Sequence, residues 1–126
     1  MDIDNLTIGE ARQIAAMFGQ AQPSPKPSLL GRHIGLVCVV RSTPSGVWFG
    51  KVVAADDRGV VMVGARRAYY WKGAATCSGL ATHGPDANGS KIPAAVPEVT
   101  VVDVCEVCTT TTTARERWAA VPEWVA

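Results

Sequence analysis

The chain has 126 residues, 48% of them hydrophobic, and a formal net charge of +1. That length suits one domain with a single core. The near-zero charge argues against general affinity for duplex DNA or an anionic membrane, and no apolar run has the length of a membrane span.

The first predicted element is a helix over residues 6–19. Thr7-Ile-Gly-Glu10 fits a capping box, with Thr7 and Glu10 serving the first backbone amides. Ile8, Ala11, Ile14, Ala15 and Phe18 fall at helical spacing and form one apolar stripe. Gly19 is a natural terminator. So short a helix needs something to dock on. Pro23, Pro25 and Pro27 then hold the chain extended through Ser28. The expected organisation is an anchor helix (1–19), a proline-rich tether (20–30) and a β-rich core domain (31–126). The anchor is expected to dock on its own domain or to brace a homo-oligomer.

From residue 32 the pattern becomes β. Val-rich runs over 33–41, 47–54 and 60–64 are separated by Ser42-Thr-Pro-Ser-Gly46 and Ala55-Asp-Asp-Arg-Gly59. Both separators are short enough for hairpins. A fourth strand is expected over 66–72 and a short helix over 74–82. An exposed loop is expected over 83–90 and a long strand over 96–107. Five threonines, Thr109 to Thr113, precede a last short helix over 114–120, which one of them caps. Pro122 ends it, and Trp124 in the tail is expected to be pinned to the body. The fold class is α+β, mainly β. It is a small antiparallel sheet or partly open barrel with a short helix at each end.

Catalytic signatures are absent. No glycine loop precedes Lys-Ser or Lys-Thr, and no serine sits in an elbow motif. Cys105-Glu-Val-Cys108 has C-x-x-C spacing but ends a β run, where residues three apart face opposite ways. The other cysteines and the two histidines form no second pair of ligands. The reading is a non-enzyme without metal or cofactor. Cys38 and one of Cys105 or Cys108 pack as small apolar residues. The acidic amino terminus does not resemble a signal peptide, and the expected location is cytoplasmic.

The informative run is Gly64-Ala-Arg-Arg-Ala-Tyr-Tyr-Trp-Lys-Gly73. In a strand, Arg66, Ala68, Tyr70 and Lys72 share one face, while Arg67, Tyr69 and Trp71 share the other. Neither face is purely apolar. An amphipathic groove or subunit seam accounts for that mixture. So does a sheet edge with half-buried rings and solvated arginines. If a ligand binds, Arg66 or Arg67 pairs with its anion. Tyr69, Tyr70 or Trp71 stacks on a base. Arg41, Lys72 and Lys91 add charge, and Asp103 and Glu106 accept hydrogen bonds from base or ribose. Residues 41–72 hold six basic residues against two acidic ones, and residues 97–126 hold five acidic against two basic. That asymmetry suits self-association or a local anion site.

Three stretches resemble small proteins of tailed phages and prophages. They are the opening Leu6-Thr-Ile-Gly-Glu-Ala-Arg-Gln-Ile-Ala-Ala-Met-Phe-Gly19, the central Ala65-Arg-Arg-Ala-Tyr-Tyr-Trp-Lys-Gly-Ala-Ala75 and the closing Val99-Thr-Val-Val-Asp-Val-Cys-Glu-Val107. In size, layout and residue chemistry the plan also resembles phage sponge proteins. Those are non-enzymatic oligomers that sequester the nucleotide messengers of bacterial defences such as Thoeris and CBASS. The resemblance implies a homo-oligomer in the cytoplasm of an infected bacterium, binding a small anionic nucleotide-like ligand. Two other readings stand beside it: a protein–protein interaction module, and a small barrel that binds single-stranded nucleic acid.

Overall fold

The computed structural model describes residues 28–126. The anchor helix expected over 6–19 and most of the tether lie outside the described residues. A 3-10 turn, Leu30–His33, precedes strand β1, Val37–Ser42. Strands β2, Gly46–Ala55, and β3, Val60–Ala68, follow as hairpins. Helix α1 spans Cys77–Thr82. Strands β4, Val96–Val101, and β5, Val104–Thr109, lead to helix α2, Thr112–Ala120. The strand order is β4-β3-β2-β1-β5, and every neighbouring pair is antiparallel. The expected class, mainly β with short helices, is the class observed. No helix among the described residues is long and apolar enough to cross a membrane.

Two expected strands are one. Runs 60–64 and 66–72 were separated at Gly64, but β3 continues through it to Ala68. Gly64 has φ 56°, and the register slips there, between the pairs Phe49–Arg66 and Lys51–Val63. This is a β-bulge with glycine in the left-handed region, so the ladder resumes beyond it. The strand ends at Ala68, because Tyr69 N and Tyr70 N both donate to Lys91 O, at 3.1 and 3.2 Å. Alternation of faces therefore does not extend from Arg66 to Lys72.

One expected strand is two. The run 96–107 breaks at Val102–Asp103, where Asp103 has φ 52°. This link joins the two edge strands. Four strand spacings in a flat sheet are roughly 19 Å, whereas three Cα steps reach about 11 Å. The sheet must therefore curl. Thr43 N donates to Asp103 O at 3.4 Å, and Val104 N donates to Arg58 O at 3.1 Å, so the link ties two hairpin turns together. Ser42 Oγ donates to Val102 O at 2.6 Å.

The curled sheet has an inner and an outer core. Cys38, Val40, Trp48, Val52, Met62 and Val101 fill the inner one. Val39, Val47 and Ala68 face outward against Leu80 of α1, Ile92, and Ala114 and Trp118 of α2. Strand β1 is thus buried on both faces, which explains its unbroken apolar run Val37-Cys-Val-Val40. A Cβ on Gly50 would lie 2.9 Å from the Ala65 Cα, so β2 and β3 approach there only without a side chain. The helices start on threonine caps: Thr76 Oγ1 accepts from Gly79 N and Thr111 Oγ1 from Ala114 N. Phe49 stacks on Trp118 with ring centres 4.6 Å apart.

Candidate functional site

A cleft of about 740 Å³ opens where β1 ends, β2 begins and the chain leaves β3. Val47 and Ala68 contribute the sheet side, Tyr69 and Trp71 one wall, and Thr76, Cys77 and Ser78 another. Arg41, Cys105 and Glu106 complete the lining. Arg41 and Glu106 are paired across β1 and β5. The register shifts beyond that pair, so Cys105 is an extra residue in β5. The bulge leaves Cys105 and Glu106 both exposed, and Cys105 Sγ lies 3.4 Å from Arg41 O.

The aromatic wall is held from behind. Tyr69 is 65% exposed, yet its ring stacks on Trp124 at 5.1 Å and 6°. Trp124 is itself fixed, its backbone N donating to Ile92 O at 3.1 Å, so the tail is pinned as its sequence suggested. Trp71 Nε1 donates to Ala74 O at 3.0 Å, and its ring packs against the outer core. Burial, and then the nearby Glu106 carboxylate, push the Cys77 thiol up to about 11, with Arg41 opposing. Arg41, Glu106 and Cys77 thus share one corner, and Cys77 is a neutral thiol at physiological pH. Among the described residues, ion pairs join Arg58 to Asp103 and Arg117 to Asp86, and Arg41 is in neither.

Of the expected site residues, Arg41, Tyr69, Trp71 and Glu106 come together here; Arg66, Arg67, Tyr70, Lys72, Lys91 and Asp103 do not. Arg66 faces the helices. Its guanidinium donates to the carbonyls of Pro93, Trp118, Val121, Ile92 and Pro122, at 2.8–3.4 Å. Arginine has five N–H donors, and every one is engaged, so none is left for an incoming anion. Two of these carbonyls lie at the α2 C-terminus, where a cation is favoured. Burial lowers the Arg66 pKa, with Glu123 opposing. Arg67 turns to the other face and places its guanidinium carbon 4.4 Å from the Trp48 ring centre. Tyr70 pairs with Lys91, whose Nζ stands 5.9 Å from the Tyr70 ring and 5.6 Å from the Trp124 ring. Lys72 is exposed and gives its backbone N to Ser90 Oγ at 3.1 Å. Asp103 lies in the β4–β5 link, 3.4 Å from Arg58.

Sequence reasoning missed Thr76, Cys77 and Ser78. Their only signal was a hydroxyl residue ahead of a short helix. It also missed that Trp124 supports Tyr69, since nothing local pairs residues so far apart. The four cysteines are free thiols: Cys38 and Cys77 buried, Cys108 half-buried, Cys105 exposed.

The architecture is thus a small curled antiparallel domain with two short helices on one face and a mixed polar–aromatic cleft. Residues 35–118 match the model of a family described as a domain of unknown function, DUF6948, and the chain belongs to that family. The match spans the whole sheet and every cleft residue. No curated protein and no solved structure matches the chain.

Proposed function

We propose that the chain is a phage-encoded, non-enzymatic protein that binds and sequesters a small nucleotide-type signalling anion in the Arg41–Tyr69–Trp71 cleft. The observation that carries this reading is the juxtaposition of Arg41, outside the ion pairs among the described residues, with a wall of two anchored aromatics. Arg41 meets a phosphate. The exposed part of Tyr69 stacks on a base. Glu106 accepts from a base amino group or a ribose hydroxyl. The cleft volume lies in the usual range for small-molecule sites, about 300–1,000 Å³. Preset rings lower the ordering cost of binding. The phage origin and the sponge role rest on the sequence resemblance.

The test is to incubate purified protein with a panel of cyclic oligonucleotides and ADP-ribose isomers. The expected result is depletion of one of them and recovery of that molecule intact after heat release. Recovery of a cleaved product would point to an enzyme instead.

Exposed Tyr69, Tyr70 and Val125, the last 85% accessible, favour a second reading in which this face contacts another protein. An unchanged panel together with a specific protein partner would select it.

A further inference from the structure

Among the described residues, Glu106 is the only carboxylate that lines the Arg41–Tyr69–Trp71 cleft, and no side-chain amide lines it. Like Arg41, Glu106 stands outside the two ion pairs of the described residues. Its carboxylate is near enough to the Cys77 thiol, in the α1 wall, to raise the pKa of that thiol, which places it on the cleft side of β5. The hydroxyls of that wall are engaged with each other: Thr76 Oγ1 and Ser78 Oγ lie 2.8 Å apart, and Thr76 Oγ1 also accepts from Gly79 N. The charged donor of the cleft is therefore Arg41 and its charged acceptor is Glu106, directly opposite on the next strand.

Resting on the nucleotide reading above, we propose that this cleft selects guanine: ligands bearing guanine bind in preference to ligands bearing adenine, ADP-ribose isomers included. An ionised carboxylate only accepts, through two oxygens. The Watson–Crick edge of guanine presents two adjacent donors, N1–H and the N2 amino group, so both oxygens are matched. Adenine presents one donor there, the N6 amino group, beside the N1 lone pair. That pattern suits a side-chain amide, which carries a donor beside an acceptor. Against Glu106 it sets a lone pair on a carboxylate oxygen and leaves both unsatisfied. Cytosine has the same fault, and uracil offers a single N–H. Stacking does not discriminate, because every base has a π-face. Tyr69 thus supplies affinity and Glu106 the choice. One base can make both contacts. Three strand spacings, roughly 14 Å, separate Glu106 from Ala68, the residue before Tyr69. An extended glutamate, a hydrogen bond and a purine fill that span, and Arg41 is left to the phosphate.

Calorimetric titration of the full-length chain tests this, with cyclic di-GMP against cyclic di-AMP, GTP against ATP, and the ADP-ribose isomers beside them. The guanine member of at least one pair is expected to bind about tenfold to hundredfold more tightly than its adenine partner, the worth of a charge-assisted contact. Glu106→Gln, checked for an unchanged circular dichroism spectrum, sets a donor beside an acceptor. It is expected to weaken the guanine ligand by about that factor while adenine binding holds or improves. Arg41→Ala is expected to weaken both members of a pair equally, since their phosphates are the same. Equal affinity within both pairs, tighter binding of adenine or of an ADP-ribose isomer, or a guanine preference that survives in Glu106→Gln would overturn the guanine assignment and leave the nucleotide cleft standing. Failure of every probe to bind would overturn both.

Discussion

Arg66 shows how one residue's task depends on what lies beyond its own strand. Its place beside three aromatics suggested an anion site, yet its five donors close the carbonyls of two distant segments. Nothing in the run 64–73 signals this, because the acceptors sit 26 to 56 positions away. Arg66→Lys is expected to lower stability by at least about 2 kcal/mol, since a lysine point charge cannot serve a planar set of five acceptors. An unchanged denaturant midpoint would show that the contacts are dispensable. The thiols give a second residue-scale prediction. Cys38 is pushed up to about 11 by burial, and Cys77 also to about 11 by burial and Glu106. A raised folded pKa means that this stability is complete below the unfolded value of 9.0 and is lost as pH rises toward about 11. Denaturation at about pH 8 and about pH 10.5 is expected to show the loss, with a smaller loss in Cys77→Ala. Equal losses in the two proteins would remove Cys77 from the account. Exposed Cys105 is expected to react first with a thiol reagent.

Among the elements, the hairpins and the capped final helix were legible because their signals are local: short turn-rich separators, and a threonine ahead of a helical run. Boundaries set by pairing were not legible. Gly64 reads as a terminator, but a ladder already built against β2 absorbs it as a bulge. Val102–Asp103 reads as continuous strand, but β4 and β5 pair at opposite edges of the sheet, so the chain must break there to pass from one edge to the other. His33 likewise falls in a 3-10 turn ahead of β1, where the sequence suggested strand. Gly64→Ala tests the bulge. A side chain at φ 56° is expected to cost about 1–2 kcal/mol, although a Cβ there meets no atom within 4 Å. Full stability in that variant would mean that the bulge relaxes.

At the scale of the whole molecule, strand register creates the candidate site. Glu106 pairs with Arg41, Arg41 with Val47 and Val47 with Ala68, so one row across four adjacent strands ends where the segment with Tyr69 and Trp71 leaves β3. The cleft's aromatic half was legible in the sequence as a cluster. Its charged half was legible only as single candidates, since Arg41 and Glu106 are joined by a cross-strand pair that spans most of the domain. The most direct measurement is ligand depletion from the nucleotide panel by three proteins side by side. Wild type and Arg67→Ala are expected to deplete the same molecule equally. Arg41→Ala is expected to bind it about tenfold to hundredfold more weakly, the cost of one charge-assisted contact. Arg41→Ala that stays folded and depletes the ligand like wild type, or a panel that wild type leaves untouched, would contradict the account.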